Sequence, residues 1–241
     1  MFPVRDLNPT RIFPYMTLLL IAANVAVFFF WQPAGGGDAE AEFVYANAAI
    51  ACEVSTGHPL TFEQLQGRSC SEGESGERIF PEKRVELSVL VSMFLHGGVF
   101  HLLGNMWFLW LFGNNIEEAY GSLRFLFVYL AAGVAAALGF IALHPESTTP
   151  LVGASGAVAG VLGSYLVLFP GRWVISLVVF VLLPVPAIVF LGLWFALQFA
   201  VADPGVAWEA HVAGFLFGAV VSALFRGPLL GRVRGRHGVY S

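Results

Sequence analysis

Long uncharged apolar runs alternate with short polar segments along this chain. Most of the runs are long enough to cross the hydrocarbon core of a bilayer as a helix. Two of them are too long for one span, and each is interrupted: by Gly97-Gly98 in the first and by Pro184 and Pro186 in the second. The pattern therefore predicts six spans. They are residues 15–31, 98–116, 125–143, 152–169, 186–202 and 210–225.

The interruptions leave two apolar pieces outside the spans. Residues 85–95 are predicted to form a short amphipathic or interfacial piece, and residues 173–183 to lie at or near the interface. The expected fold is an all-α polytopic membrane protein with a long extracytoplasmic first loop. Its predicted divisions are a cytoplasmic N-terminus (1–14), a first helix (15–31), the first loop (32–96), helices two to six with the candidate site (97–225) and a basic cytoplasmic tail (226–241).

Composition agrees with a membrane protein. The chain is 57% hydrophobic and 12% charged, with a mean hydropathy of +0.75, whereas about a quarter of the residues in soluble domains are charged. The net charge of -4 is uninformative because the charges are segregated. Eight of the twelve Lys and Arg residues fall on the side of both termini, which predicts that side to be cytoplasmic. The other four are Arg68, Arg78, Lys83 and Arg84.

The first loop carries most of the acidic residues and both cysteines, Cys52 and Cys70. Neither cysteine belongs to a CxxC pair or a ligand cluster, so we expect no metal site. A loop facing an oxidising compartment favours a disulfide between them. Two free thiols remain the alternative, because sequence does not give their separation. We assign this loop no function.

Four polar residues are predicted to meet at one depth. The topology puts His101 and Asn105 in the outer turns of the second span, Ser155 at the outer end of the fourth and His211 at the outer end of the sixth. His101 and Asn105 are four residues apart and share a helical face. Polar residues inside a membrane are costly and usually face the protein interior or a water-filled cavity. Their coincidence indicates a site.

Small residues favour close approach of the fourth and sixth spans. Ser155, Ala159 and Gly163 recur every four residues, and Gly214 and Gly218 form a GxxxG pair one turn after His211. Such packing would bring the His211 ring to the Ser155 hydroxyl. A neutral imidazole can accept the proton of a serine that attacks a carbonyl and return it to the leaving amine.

An acyl-transfer serine also needs donors for the oxyanion. His101 and Asn105 are candidate donors, and hydrogen bonding between helices is their alternative role. His96, beside the Gly97-Gly98 break, is a candidate for water access or for anchoring the loop. A third group to orient His211 is not obvious. The nearest acids, Asp203 and Glu209, read more simply as residues of a solvated loop.

Three motifs, in this order along the chain, resemble the rhomboid intramembrane serine proteases. They are HGGVFHLLGNM at residues 96–106, GASG at 153–156 and AHVAG at 210–214, within a similar region of about 85–225. The resemblance implies a dyad of Ser155 and His211 with oxyanion stabilisation by His101 and Asn105. It also implies a structural role for Glu117. Gly153, Gly156 and Gly214 would support the site.

This sequence departs from the family at Ala159, where many members carry an aromatic residue under the histidine ring. The resemblance implies that residues 186–202 form a lateral gate shaped by Trp194 and Phe195, although apolar packing explains both residues equally well.

The implied substrates are single-pass membrane proteins, cleaved where their helix unwinds near the outer face. The other expected partner is the lipid bilayer; no nucleic acid and no cofactor is expected, and the oligomeric state is open. The sequence shows no organelle-targeting segment, which favours a bacterial plasma membrane. The alternative function is a catalytically silent rhomboid-like scaffold that binds transmembrane segments. A transporter is disfavoured because inverted repeats and intramembrane Asp, Glu, Lys or Arg residues are lacking.

Overall fold

The apolar runs fold mainly into helices. The computed structural model describes residues 1–33, 36–71, 73, 75–200 and 207–237. Eleven helices occur in these ranges: α1 (Tyr15–Phe30), α2 (Asp38–Asn47), α3 (Ala51–Thr56), α4 (Phe62–Gly67), α5 (Val85–Ser92), α6 (Val99–Tyr120), α7 (Ser122–Leu143), α8 (Ser155–Leu168), α9 (Ala187–Ala200), α10 (Trp208–Leu224) and α11 (Arg226–His237). The strands described are β1 (Phe2–Asp6), β2 (Ala49–Ile50), β3 (Pro150–Leu151), β4 (Trp173–Val178) and β5 (Val181–Pro186).

The helices differ in their capacity to cross a bilayer alone. Among the described residues, only α7 has at least 18 residues and sufficient hydropathy; α10 and α11 pass the same test together, bent by 75°. The apolar helices α1, α8 and α9 have between 10 and 17 residues. The six-span arrangement therefore stays a prediction, although a helix lies within or across every predicted span.

The fold is mainly helical, as expected, but the described residues also form two small antiparallel sheets that the sequence did not predict. Residues 173–186 form a β-hairpin whose strand β4 also pairs with β1, giving a three-stranded antiparallel sheet in the order β1-β4-β5. Branched side chains favour extended structure there. Pro184 and Pro186 lack an N–H donor, and both lie in the edge strand β5, where proline is tolerated. The helix α9 begins only after Pro186.

The inner end of the second predicted span also differs from expectation. The charges at Glu117 and Glu118 were expected to end that span at residue 116, but α6 continues through both to Tyr120, and both are buried. Glu117 accepts hydrogen bonds from the N–H groups of Met16 and Thr17 at 3.0 and 2.8 Å. It thereby supplies acceptors for the first turn of α1, which has no side-chain cap of its own.

The first loop is structured rather than irregular. It contains α2 to α5 and a small core in which Ile50, Leu60 and the two cysteines are buried. Cys52 and Cys70 form a disulfide, with Cα atoms 5.5 Å apart. Lys83 of this loop forms a buried ion pair with Glu53. Apolar periodicity is weak in this part of the sequence because short helices of six to ten residues present no long apolar face.

The centre of the fold is formed by α7, α8 and α10, which touch through small residues. Gly139 faces Ala213, and Gly160 faces Ala132, in each case with no room for one further methyl group. Close backbone approach of this kind is how small residues associate membrane helices. It leaves the N-terminal ends of α8 and α10 side by side, where the candidate site lies.

Candidate active site

A cavity of about 490 Å³ opens between α6, α8, α9 and α10. Most of its wall is apolar, and the polar side chains in it come from distant parts of the chain. They are Ser92, His101, Asn105, Ser155 and His211. All four residues predicted to meet therefore line one cavity.

Ser155 is the first residue of α8. Gly153, two residues earlier, has a backbone conformation that calls for glycine. Gly153 has φ of +123°, a backbone conformation that side chains disfavour. A Cβ atom at Gly153 would also lie 2.9 Å from His101 Nε2. The Gly153 N–H donates to the Ser92 carbonyl at 2.9 Å, which fixes the turn into the helix. The first N–H groups of α8 have no acceptor within the helix and open beside Ser155.

His101 and Asn105 lie one turn apart on α6. The Gly97 N–H points at His101 Nδ1 over a long 3.4 Å, so Nδ1 accepts and the ring proton is carried by Nε2, the atom next to Gly153. Asn105 is 8% exposed, and its Nδ2 has no hydrogen-bond partner among the described residues. The cavity thus holds two N–H donors for which the described residues provide no hydrogen-bond acceptor.

His211 lies in the first turns of α10 and is half-buried. Its Nδ1 is 2.8 Å from Gln198 Oε1, and its ring lies 6.2 Å from that of Trp194, centre to centre. Sequence reasoning missed Gln198. The available signal was a single amide in the otherwise apolar α9, four residues after Trp194. Ser155 and His211 share the cavity, but no hydrogen bond joins them in the described part of the chain.

His96 does not line this cavity. It is fully buried, and the Gln32 side chain both donates to its carbonyl at 2.6 Å and accepts from its N–H at 3.1 Å. Burial and the neighbouring His101 lower the pKa of His96 to about 4, so its ring is neutral at physiological pH. Of its two expected roles, this environment fits anchoring of the loop and not water access.

The one described acid near His211 is engaged elsewhere. Glu209, expected in a loop, lies in the first turn of α10 and binds His144 Nε2 at 2.7 Å. Asp203 lies outside the described residues.

The glycines predicted to support the site, Gly156 and Gly214, meet at the α8–α10 contact, where a Cβ on Gly214 would collide with the Gly156 carbonyl.

The first loop reaches the site through a two-residue ladder. Ala49 of β2 pairs with Leu151 of β3, which ends four residues before Ser155. The Cys52 N–H donates to the Ser147 carbonyl at 3.0 Å, so the disulfide-bonded segment continues the same contact. The loop therefore packs against the turn that carries Ser155 and supports it.

Reduction of the disulfide is expected to weaken this support of the first loop for the turn before α8. The loss should be about 2 kcal/mol of local stability, at the low end of the usual range because helices tether the loop in either state. The measurement is the rate of limited proteolysis within residues 52–70, before and after reduction and in Cys52→Ser. A reduced protein that is cleaved no faster than the oxidised one would contradict the prediction.

Comparison with known proteins decides the family. The Rhomboid domain model matches residues 85–228. The chain belongs to the rhomboid family. Its relatives include "RHOMBOID-like protein 4" of Arabidopsis thaliana, 31% identical over 94% of this chain and 56% of that protein. They also include "Rhomboid protease GluP" of Bacillus subtilis, 32% identical over 64% of this chain and 24% of the relative, and "Rhomboid protein 1, mitochondrial" of Saccharomyces cerevisiae, 31% identical over 62% and 41%.

Family membership makes this rhomboid an integral membrane protein with a mainly helical fold. The chain spans between about a quarter and just over half of the length of these three relatives. One of the three is named a protease, and the names of the other two state no activity. Because plant and mitochondrial proteins are among them, the comparisons do not support the expected bacterial plasma membrane in particular.

Proposed function

We propose that this rhomboid is an intramembrane serine endopeptidase that cleaves peptide bonds in or near the transmembrane segments of single-pass membrane proteins. The observation that carries the proposal is the shared cavity, in which a serine, two histidines and an unpaired amide donor come together from three helices. Costly polar groups among apolar helices indicate function rather than packing.

In the proposed mechanism Ser155 is the nucleophile and His211 the general base. Ser155 Oγ attacks the carbonyl carbon, and its proton passes to His211 Nε2. The C–N bond then breaks as that proton moves to the leaving amine, and water releases the acyl group by the same two steps. The absence of a Ser155–His211 hydrogen bond is compatible with this role, since catalytic contacts often tighten only when substrate binds.

The oxyanion would be stabilised by His101 and Asn105. His101 Nε2–H and Asn105 Nδ2–H are donors without an acceptor among the described residues, and the N–H groups at the start of α8 add a third source. A helical peptide bond already has its carbonyl hydrogen-bonded. The substrate must therefore unwind locally, which Gly and Pro in its sequence favour.

The test compares the purified protein with Ser155→Ala and His211→Ala on a model transmembrane substrate. We expect cleavage and fluorophosphonate labelling in the wild type, loss of both in Ser155→Ala and loss of cleavage in His211→Ala. Ser55→Ala, which changes an exposed serine of the first loop, is the matched control. Undiminished cleavage by either site variant would refute the dyad. A wild type that binds the substrate but neither cleaves nor is labelled would favour the catalytically silent scaffold.

A further inference from the structure

His211, the proposed base, has an orienting partner that lies outside the three sequence motifs. His211 has neither an aromatic residue at position 159, which is Ala, nor a described acid, because Glu209 binds His144. Its ring nitrogen Nδ1 instead lies 2.8 Å from Oε1 of Gln198 on α9. The two residues are thirteen positions apart in sequence, and their contact links α9 to α10.

The orientation of the Gln198 amide follows from its second contact. Gln198 Nε2 lies 3.1 Å from the Trp194 carbonyl oxygen, which can only accept. The NH₂ end of the amide is therefore directed at Trp194 and the oxygen at His211. Because an amide oxygen also only accepts, His211 Nδ1 must be the donor. In a neutral ring this leaves Nε2 unprotonated.

We propose that Gln198 is the positioning residue of His211: it holds the proton on Nδ1 and keeps Nε2 free to take the proton of Ser155. The role rests on the proposed function. It is the task that an orienting carboxylate performs in serine hydrolase triads, here carried out by a neutral amide. An amide suits this site because a half-buried, unpaired carboxylate among apolar helices would be costly.

Trp194 completes the arrangement. It precedes Gln198 by one helical turn, so both residues share a face of α9. Its ring stacks on Phe215 of α10 at 6.0 Å and lies 6.2 Å from the His211 ring. One residue thus fixes the ring plane by packing while the next turn fixes the ring proton. Among the described residues, the ionisable groups around His211 are His101 of α6, across the cavity, and Glu209, on the same helix.

Three variants separate positioning from helix docking. Gln198→Leu keeps the bulk and removes the acceptor, Gln198→Glu keeps an acceptor oxygen, and Leu138→Ala changes an exposed leucine of α7 as the control. We expect Gln198→Leu to lower kcat/KM by about 10- to 100-fold, the size of loss that follows removal of the hydrogen-bond partner of a metal-bound histidine, with little change in Tm. Gln198→Glu should regain most of this activity. The acidic limb of its pH–activity profile should move to higher pH, because the carboxylate stabilises the protonated ring.

A readout that does not depend on activity distinguishes this inference from the proposed function. The ¹⁵N shifts of the His211 ring, measured in the Ser155→Ala background, should report a proton on Nδ1 that becomes shared between both nitrogens in Gln198→Leu. An unchanged tautomer in Gln198→Leu would overturn the role of Gln198 even if Ser155→Ala is inactive. Equal losses in Gln198→Leu and Gln198→Glu, together with a lower Tm, would overturn it in favour of helix docking. Conversely, an active Ser155→Ala refutes the dyad, while the tautomer measurement still decides whether Gln198 sets the ring proton.

Discussion

Asn105→Ala is expected to lower kcat/KM by about 10²–10³ without lowering the melting temperature. The rate loss is the usual effect of removing one oxyanion donor. The stability argument comes from the structure: Asn105 Nδ2 is buried and has no hydrogen-bond partner among the described residues, so its removal breaks no hydrogen bond there and relieves an unsatisfied donor. The measurement is steady-state cleavage of a transmembrane substrate together with thermal unfolding in detergent.

Leu103→Ala is the control, since Leu103 lies two residues earlier on α6 and is 56% exposed. It should leave cleavage unchanged. His101→Ala should act in the same direction as Asn105→Ala, and the double variant should lose less than the product of the two, because both donors serve one oxyanion. If Asn105 served instead to hold helices together, Asn105→Ala would lower the melting temperature and leave the chemical step intact.

Four of the five polar side chains that line the cavity could be predicted from the sequence to lie together; Ser92 could not. Ser155, His101, Asn105 and His211 could be predicted to converge because each stands near one end of an apolar run, and the direction of successive runs alternates. That reasoning needs only the order of the spans. It requires no knowledge of which helix faces which, so helix-packing details did not affect it.

Gln198 could not be found in the same way. Its contact with His211 depends on the rotation of α9 about its axis, and an almost uniformly apolar helix gives no polar face from which to read that rotation. The hairpin at residues 173–186 was missed for a related reason. A continuous apolar run is compatible with strand or helix, and pairing with β1, more than 160 residues away, decides between them.

The helices of the first loop also could not be predicted from the sequence. Its helices α3 and α4 have six residues each, too short to be stable alone, and they depend on the disulfide and on a small shared core. Propensity along the chain does not contain this information. The sequence indicated only the cysteine pair and the short piece at residues 85–95, where α5 forms.

Gly218→Ala is expected to destabilise the protein by about 3 kcal/mol, at the upper end of what overpacking costs. A Cβ at Gly218 would lie 2.6 Å from the carbonyl carbon of Gly160, and a backbone atom cannot move aside as a side chain can. The sign of the stability change is what distinguishes close packing from an open helix. In an open helix the same change would be favourable by about 1 kcal/mol, because alanine has the higher helix propensity.

Gly192→Ala in α9 supplies the matched control, since its added Cβ would meet nothing within 4 Å. It should leave the melting temperature unchanged or raise it. For Gly218→Ala we expect a lower melting temperature and lower cleavage together, because the clash separates α10 from α8 and with it His211 from Ser155. The Ser164 hydroxyl lies 2.9 Å from the Gly160 carbonyl and 3.1 Å from that of Gly218, so it reports on the same contact. A Gly218→Ala protein as stable as Gly192→Ala would mean that α8 and α10 do not approach this closely, and the proton transfer proposed between them would lose its structural basis.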